Sequence, residues 1–385
     1  MSRIAGRSVI LPIKRSVHRA QGLVIIHVAF STDFSARARR AVLAISALFL
    51  FSTATVAMAG ATDKSTTVID DAAYTHAQQL VEIEPGRRLN LYCTGKGSPI
   101  VVFDSGGGGE TVDWAPVQPV IAGHTQACSY DRAGLGFSDP GKRTSDSANI
   151  VDDLHRLLTA AALRPPYVLV GASYGGMNVR LYADIYPAEV VGMVLVDSTS
   201  EDWIEERLKL DPRHLTVEQA RAQNFTIDWQ SRRDCVKAAL TGFVEGTEVY
   251  KQCVGEPNPT ESKAINDAEL KTRLSVGHQQ AELSEDESIF FTSADEVRAA
   301  RRWYGAMPLI VLTSAPVTKP RANETPEFRA ALNRLHAVLA DQMAALSTRG
   351  VVRPVPNSTH EIQLTQPDAV NSAILEVLGE ASQQK

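Results

Sequence analysis

The segment GASYG at residues 171–175 places one serine between two glycines. Apolar residues precede it and an amphipathic stretch follows it, which indicates a buried strand that turns into a helix at Ser173. Gly-x-Ser-x-Gly at such a turn is the nucleophile-elbow pattern, in which a tight, strained turn exposes the serine hydroxyl. The free N–H groups of the helix then face a developing negative charge. The pattern predicts that Ser173 is a nucleophile, with a structural Gly-Ser turn as the alternative.

A serine hydroxyl is a weak nucleophile unless a base accepts its proton, and in this pattern the base follows the serine in the chain. His360 lies in the segment STHEIQL, after the last predicted strand and before the last predicted helix. The other histidines after residue 59 precede the serine, fall in an inserted segment or lie in a helical pattern: His76, His124, His155, His214, His278 and His336. The order therefore predicts that His360 is the base.

The elements around these residues alternate between strands and helices. The continuous apolar runs favour strands that are buried on both faces of a parallel sheet. The predicted strands lie in RRLNLYCTG, SPIVVFDSGGGGE, HTQACSYDRAGLGFSDPG, PPYVLVGASYGG, VVGMVLVDSTS, MPLIVLTSAP and GVVRPVPNSTH. The helical patterns are NIVDDLHRLLTAAAL, MNVRLYADIY, EFRAALNRLHAVLADQMAAL and PDAVNSAILEVL. This alternation predicts an α/β, doubly wound architecture.

One long interval interrupts the alternation. Residues 201–304 show no buried strand pattern, are charged and helical in pattern, and are too many for a simple crossover. We predict that they form an inserted helical lid, and we call this segment the lid. Residues 81–200 and 305–385 then form the core, and the polar residues 60–80 form a flexible leader.

The first 59 residues have the composition of a secretory signal peptide. Residues 1–40 contain eight Lys or Arg and one Asp, and an apolar run follows that ends at the small-x-small sequence Ala57-Met58-Ala59. The alternative is an uncleaved N-terminal membrane anchor. We expect an exported protein, periplasmic or secreted, without a stable membrane span once the signal is cleaved.

Composition and charge exclude some partners. The chain has 385 residues, of which 44% are hydrophobic and 22% charged, which is typical of a globular protein. Cleavage after residue 59 removes eight positive charges and one negative charge, which changes the net charge from −5 to −12. An acidic protein without a basic run in its main body is not expected to bind nucleic acid.

Four cysteines follow residue 59: Cys93, Cys128, Cys235 and Cys253. An even number in an exported chain predicts two disulfides, but the sequence alone does not choose among the three possible pairings. No Cys-x-x-Cys spacing is present, so a zinc site is not expected. We likewise expect no metal and no organic cofactor.

The segments FDSGGGGETVDW, YDRAGLGFSD, GASYGG, VDSTSED and STHEIQL, in this order, make the chain resemble the α/β-hydrolase fold superfamily over roughly residues 85–380. The resemblance implies a mostly parallel central sheet with helices on both faces and an inserted helical lid. It also implies Ser173 as the nucleophile and His360 as the base of a serine hydrolase.

The resemblance assigns the oxyanion hole to the backbone N–H groups of Tyr174 and Gly107. Gly106 is the neighbouring candidate, because four successive glycines leave the register open. The second segment, YDRAGLGFSD, would support this loop. A dinucleotide site is the alternative for the glycines, but Thr111 occupies the third glycine position of that motif.

The position of the triad acid departs from the usual pattern of the superfamily. Most members carry it after the strand predicted in PLIVLTSAPVTKP, which contains no Asp or Glu. Some members carry it one strand earlier, where Asp197 follows GMVLV. Asp197 would accept the ring N–H of His360, with a helix cap as its alternative role. Glu201, Asp202 and Glu324 remain alternative acids, whereas Asp131 precedes the serine and is expected to be structural.

The resemblance also bears on the disulfides, since the second and fourth elements of this fold are neighbours in the sheet. It implies the pair Cys93–Cys128, which leaves Cys235–Cys253 to close a loop of about eighteen residues in the lid.

The resulting expectation is an exported serine hydrolase that cleaves the carboxylic esters of small-molecule substrates with a Ser-His-Asp triad and an acyl-enzyme. A serine at the elbow disfavours dehalogenase chemistry, which uses Asp there in this superfamily. One alternative is an aminopeptidase similar to proline iminopeptidase, with the lid carboxylates Glu201, Asp202, Glu205 and Glu206 holding a substrate amine. The others are a serine peroxidase, a carbon–carbon bond hydrolase and a non-catalytic binding protein on the same fold.

Overall fold

An eight-stranded sheet is the centre of the structure, a computed structural model that describes residues 68–223, 228–321 and 324–382. The predicted signal peptide lies outside these described residues. The sheet order is β1-β2-β4-β3-β5-β6-β7-β8, with β3 to β8 mutually parallel and β1 and β2 antiparallel to their neighbours. The strands are β1 (Leu80–Glu84), β2 (Arg87–Thr94), β3 (Ile100–Asp104), β4 (Ala127–Tyr130), β5 (Tyr167–Ala172), β6 (Val190–Val196), β7 (Leu309–Thr313) and β8 (Gly350–Pro354).

Every residue of β3, β4, β5 and β7 is buried, as their continuous apolar sequences predict. Successive residues of a strand point to opposite faces, so each strand contributes to two cores. In β5, Leu169 packs into the hydrophobic cluster on one face, and Val168 and Val170 pack into the cluster on the other. The sheet is therefore covered by helices on both faces, which confirms the predicted α/β-hydrolase fold.

The helices of the core divide between these two faces. Apolar residues of α2, α3 and α11 belong to the first cluster, and those of α1 and α13 belong to the second. The core helices are α1 (Gln118–Ala122), α2 (Ser147–Ala160), α3 (Tyr174–Ile185), α11 (Pro326–Ala344), α12 (Ile362–Thr365) and α13 (Pro367–Ser382).

The lid separates β6 from β7, and its described residues, 201–223 and 228–304, form seven helices and no strand of the sheet. These helices are α4 (Trp203–Leu210), α5 (Val217–Ala222), α6 (Trp229–Thr241), α7 (Glu248–Val254), α8 (Lys263–Arg273), α9 (Val276–Ser288) and α10 (Thr292–Ala300). In the described part of the chain, no helix is both long and apolar enough to cross a bilayer.

Two disulfides connect neighbouring elements. Cys93 of β2 and Cys128 of β4 are direct partners in the antiparallel register and are bonded to each other. Cys235 of α6 is bonded to Cys253 of α7, so this disulfide lies within the lid. The resemblance implied the same two pairs.

Of the segment expected to be a flexible leader, residues 60–80, the structure describes residues 68–80. The first described residues pack on the lid, because Tyr74 is buried beside Val112 and Ile265. Ile69 also exchanges backbone hydrogen bonds with Thr260 and with a neighbouring lid residue, at 2.8 Å each. The strand β1, which the sequence analysis did not predict, begins at the end of this segment and forms a hairpin with β2.

Candidate active site

Ser173 occupies the sharp turn between β5 and α3. Its backbone φ is +49°, in the left-handed region that costs free energy for a residue with a side chain. The turn is held by backbone hydrogen bonds: the Ser173 N–H donates to Val196 O at 3.0 Å, and the Ser173 carbonyl accepts from Gly176 at 3.1 Å and Thr199 at 3.0 Å. The surrounding backbone therefore maintains the strained conformation that the sequence pattern predicted.

The two glycines of the pattern are required by close backbone contacts. A Cβ atom on Gly171 would overlap the carbonyl oxygen of Gly175. A Cβ atom on Gly175 would overlap the carbonyl oxygen of Asp104, at the end of β3. Since backbone atoms cannot move aside as a flexible side chain can, only glycine fits at either position.

Three residues from three loops meet at this turn. Ser173 follows β5, Asp197 follows β6 and His360 follows β8, so all three lie at the carboxyl edge of the parallel strands. The Ser173 hydroxyl Oγ is 2.9 Å from His360 Nε2. His360 Nδ1 is 2.6 Å from Asp197 Oδ2. The structure thus joins the three predicted residues in one chain of hydrogen bonds, with Nδ1 placed to donate and Nε2 placed to accept.

Asp197 is held by more than His360. It is 5% exposed, and its Oδ1 accepts the Ser314 N–H at 2.7 Å and lies 3.2 Å from His336 Nε2. Burial alone would raise the pKa of Asp197, but hydrogen bonds from His336, His360 and the Ser314 amide hold that pKa well below its usual range. The hydrogen bond to Asp197 in turn raises the pKa of His360.

His336 is a neighbour of the triad that the sequence did not predict. It lies in α11, between β7 and β8, and its helical pattern gives no sign of a role at the site. Its contact with Asp197 depends on how α11 packs against the edge of the sheet, and no spacing in the sequence indicates that contact.

The alternative acids are paired with arginines. Glu201 forms ion pairs with Arg180 at 2.5 Å and Arg301 at 2.8 Å. Asp202 binds Arg298 and Arg301, and Glu324 binds Arg329. Asp197 is the one among these candidates whose carboxylate contacts His360 in the described structure.

The glycine loop after β3, residues 106–109, borders the serine. A Cβ atom on Gly106 would lie 3.4 Å from Ser173 Cβ, whereas Gly107 is exposed beside it. On the other side, Tyr174 is the first residue of α3, where an N–H group has no acceptor within its own helix. Of the three residues predicted for the oxyanion hole, Tyr174 and Gly106 therefore border Ser173, whereas the nearest atom to a Cβ on Gly107 would be Glu285 Oε2 at 3.9 Å.

Arg132 supports the glycine loop through hydrogen bonds to its backbone. It is buried and donates to Ser105 O at 2.8 Å and to Gly106 O at 2.5 Å. It also forms ion pairs with Asp104 of the core and Glu285 of the lid, each at 2.7 Å. The resemblance implied that the segment YDRAGLGFSD supports the loop, but the sequence did not indicate Arg132 in particular or its partner in the lid.

Two further contacts fix the same loop. Glu285 of α9 accepts the Gly108 N–H at 2.8 Å, so the lid touches the glycines directly. Asp131, expected to be structural, accepts the N–H of Thr111 at 2.8 Å and that of Phe137 at 3.0 Å. These contacts anchor the loop at Gly108 and the segment that follows it at Thr111.

A family model described as the alpha/beta hydrolase fold matches residues 99–324, more than half of the chain. The AB hydrolase superfamily protein of Gibberella zeae is 23% identical over 292 residues, which cover 73% of this chain and 86% of that protein. The probable transporter efuK of Hormonema carpetanum is 31% identical over 109 residues, which cover 27% of this chain and 16% of that protein. This chain spans 16% to 53% of the length of the first three curated relatives.

The crystal structure of a loop variant of haloalkane dehalogenase from Bradyrhizobium elkanii has a TM-score of 0.55 and 17% identity, covering 80% of this chain and 98% of that one. A probable hydrolytic enzyme from Pseudomonas aeruginosa has a TM-score of 0.51 and 18% identity, covering 81% of this chain and 99% of that one. At such identities the likeness concerns the fold alone. Together with the family match over residues 99–324, it shows that the chain belongs to the α/β-hydrolase fold family.

Proposed function

We propose that the protein is an exported serine hydrolase that cleaves carboxylic esters through an acyl-enzyme. One observation carries the proposal: Ser173 Oγ lies 2.9 Å from His360 Nε2, and His360 Nδ1 lies 2.6 Å from Asp197 Oδ2. These distances are within the range for proton transfer between a nucleophile, its base and the group that orients the base.

In the proposed reaction, Ser173 Oγ attacks the ester carbonyl carbon while His360 Nε2 accepts the hydroxyl proton. His360 then donates this proton to the leaving alkoxide, and the C–O bond of the ester breaks. A water molecule attacks the resulting acyl-enzyme with His360 again as base, which releases the carboxylic acid and restores the serine hydroxyl.

The electrostatics of the site favour this role for His360. A buried, ionised Asp197 stabilises the imidazolium that forms when the base accepts a proton. The backbone N–H of Tyr174, with that of Gly107 or Gly106, would stabilise the oxyanion of the tetrahedral intermediate. The hydrogen bond from Arg132 to Gly106 O supports this stabilisation, because oxyanion donors are most effective when they are already in position before the reaction.

The side chain at the elbow separates this proposal from the chemistry named for one structural neighbour. That neighbour is a haloalkane dehalogenase. The resemblance to the superfamily implies that its dehalogenases use an aspartate as nucleophile. Ser173 at the same kind of turn favours acyl transfer, since a serine ester can be hydrolysed with His360 as base.

The aminopeptidase alternative is disfavoured because the carboxylates suggested to bind a substrate amine already form ion pairs. The four lid carboxylates suggested for it are engaged: Glu201 and Asp202 with arginines, Glu205 with Arg298 at 3.2 Å and Glu206 with Lys209 at 2.5 Å. The non-catalytic alternative is disfavoured because a binding protein has no need of the hydrogen-bonded chain through Ser173. Export is supported by the two disulfides, which persist in oxidising compartments.

The test is the initial rate of hydrolysis of p-nitrophenyl esters from acetate to dodecanoate, with the chain beginning at residue 60. We expect clear rates that vanish in Ser173→Ala and persist in the matched control Ser231→Ala, a serine of α6 outside the triad. A fluorophosphonate probe, followed by mass spectrometry, should label Ser173 whatever the preferred ester. A protein that is inert on every ester and unlabelled at Ser173 would overturn the proposal.

A further inference from the structure

A cavity of about 220 Å³ lies between the glycine loop and the lid. Gly108 and Gly109 form one wall, and α6 to α9 contribute the opposite walls. A single water molecule takes up about 30 Å³ of liquid, so the cavity has room for a small organic group. The aromatic and aliphatic side chains typical of a site for an acyl chain are scarce here, since most lining side chains are polar.

Carboxylates outnumber the cations in this cavity. Glu269 is paired with Arg273 at 2.8 Å, and Glu282 is paired with Arg232 at 2.8 Å. Two more carboxylates, Glu110 and Asp113, also line the cavity. Within the described ranges neither of these two forms an ion pair with a lysine or arginine.

Burial affects both Glu110 and Asp113. Burial, and then the charge of Glu269, raise the pKa of Asp113 to about 7. Burial, and then the charges of Asp131 and Glu269, raise the pKa of Glu110 well above its usual range. A cation bound between them would stabilise both carboxylates in their ionised form.

A buried histidine independently indicates a missing partner. His278 is 3% exposed, and its Nδ1 has no hydrogen-bond partner. This nitrogen lies 3.7 Å from Glu110 Oε1, and Nε2 lies 3.7 Å from Glu282 Oε1. Both distances are too long for direct hydrogen bonds. A polar group placed between Nδ1 and Glu110 would complete the hydrogen bonds of this buried ring.

The chemistry of the lining identifies the class of ligand. Several carboxylates around one polar cavity can bind an organic ammonium or guanidinium group through charge-assisted hydrogen bonds. In the part of the chain that the structure describes, no group of three or more His, Cys, Asp or Glu side chains is placed to hold a metal ion.

We propose that this cavity binds the cationic nitrogen of the substrate, an inference that rests on the proposed esterase function. The lining of the cavity includes Gly108 and Gly109 but neither Gly106, the glycine against Ser173, nor Ser173 itself, so a nitrogen bound there lies beyond direct contact with the serine. The proposal therefore places a spacer of several carbon atoms between this nitrogen and the ester carbonyl, unlike the α-amine of an aminopeptidase substrate.

The first experiment measures binding without catalysis. Ser173→Ala protein is titrated by calorimetry at pH 8 with n-butylammonium and, separately, with n-butanol. We expect n-butylammonium to bind and n-butanol not to bind. Adding Asp113→Asn should weaken the binding of n-butylammonium by about tenfold or more, because a charge-assisted contact with the carboxylate is lost. The matched control Glu287→Gln removes a charge from the exposed surface of α9 and should leave the affinity unchanged.

The second experiment compares kcat/KM for three p-nitrophenyl esters: hexanoate, 6-aminohexanoate and its isomer 2-aminohexanoate. We expect the 6-amino ester to be the best substrate, and the ratio of 6-amino ester to hexanoate to fall in Asp113→Asn and in Glu110→Gln. Ser173→Ala supplies the uncatalysed rates. Glu287→Gln should retain the wild-type ratio.

The outcomes separate the two proposals. If the hexanoate ester is hydrolysed but n-butylammonium does not bind and the 6-amino ester has no advantage, the cationic subsite is wrong and the esterase proposal stands. If Ser173→Ala binds n-butylammonium but no ester is cleaved by the wild type, the proposed function is wrong and the cation site stands. A preference for the 2-amino isomer would overturn the inferred spacer.

Discussion

Replacing Asp197 by asparagine tests the triad with almost no change in volume. In the wild-type structure, Asp197 Oδ1 accepts the Ser314 N–H at 2.7 Å and lies 3.2 Å from His336 Nε2. An asparagine would keep its carbonyl oxygen in this position, since both neighbours are donors. Its NH₂ group would then face His360 Nδ1, which lies 2.6 Å from the carboxylate in the wild type.

This orientation selects the wrong tautomer of His360. With a donor opposite Nδ1, that nitrogen becomes an acceptor and the ring proton moves to Nε2, which points at Ser173. A protonated Nε2 cannot accept the serine proton. Loss of the correct tautomer in a serine triad lowers kcat about 10⁴-fold. That factor corresponds to about 5.4 kcal/mol of transition-state stabilisation.

The assay is kcat and KM on the best p-nitrophenyl ester, with circular dichroism and thermal melting to verify folding. KM is expected to change little, because Asp197 is buried and is not placed to touch substrate. Glu324→Gln is the matched control, since Glu324 was an alternative acid and is paired with Arg329. If folded Asp197→Asn retains more than a tenth of the wild-type kcat, or if Glu324→Gln loses as much, Asp197 is not the acid.

Three further predictions concern pH, the buried arginine and the lid disulfide. The acid limb of the pH profile of kcat/KM should have its midpoint above pH 6.5, the ordinary pKa of histidine. The base acts as neutral His360, and the pKa of this residue is raised by Asp197. A midpoint below 6.5 would contradict the role of His360 as the base. Arg132→Met should reduce the free energy of unfolding in urea by about 3–5 kcal/mol, since it leaves two buried carboxylates without their cation. The control Arg353→Gln, at a partly exposed ion pair, should reduce it by less than about 1 kcal/mol. The free energy of unfolding of the double variant Cys235→Ala/Cys253→Ala should fall by about 3 kcal/mol in the same assay, because the 18-residue loop is no longer closed. An unchanged urea midpoint of unfolding would show that the lid unfolds independently.

The sequence by itself was sufficient for features encoded within short segments. The elbow at Ser173 is a local pattern, because the two glycines, the preceding apolar strand and the following helix are contiguous in the chain. The parallel strands β3 to β8 were each predicted from their continuous apolar runs. The hairpin strand β1 was missed because it is an edge strand with alternating exposure, and its short sequence has no apolar run.

The partners of Ser173 illustrate the limit of that reasoning. His360 could be chosen because chain order and strand position left one suitable histidine, although it lies 187 residues from Ser173. The acid could not be chosen with the same certainty, since several carboxylates follow β6. The structure distinguishes them by contact, as arginines bind Glu201 and Asp202 and leave Asp197 to His360.

Only the tertiary structure placed His336 against Asp197, Arg132 between Asp104 and Glu285, and His278 in the acidic cavity. Each of these contacts joins elements that are far apart in the chain and depends on how a helix packs on the sheet or how the lid meets the glycine loop. Residue type and local spacing determine which chemistry a segment can supply. The packing of distant elements determines which charged side chains are paired with each other and which remain available at the site. Sequence patterns do not reveal these pairings, because long-range contacts have no local signature in the chain.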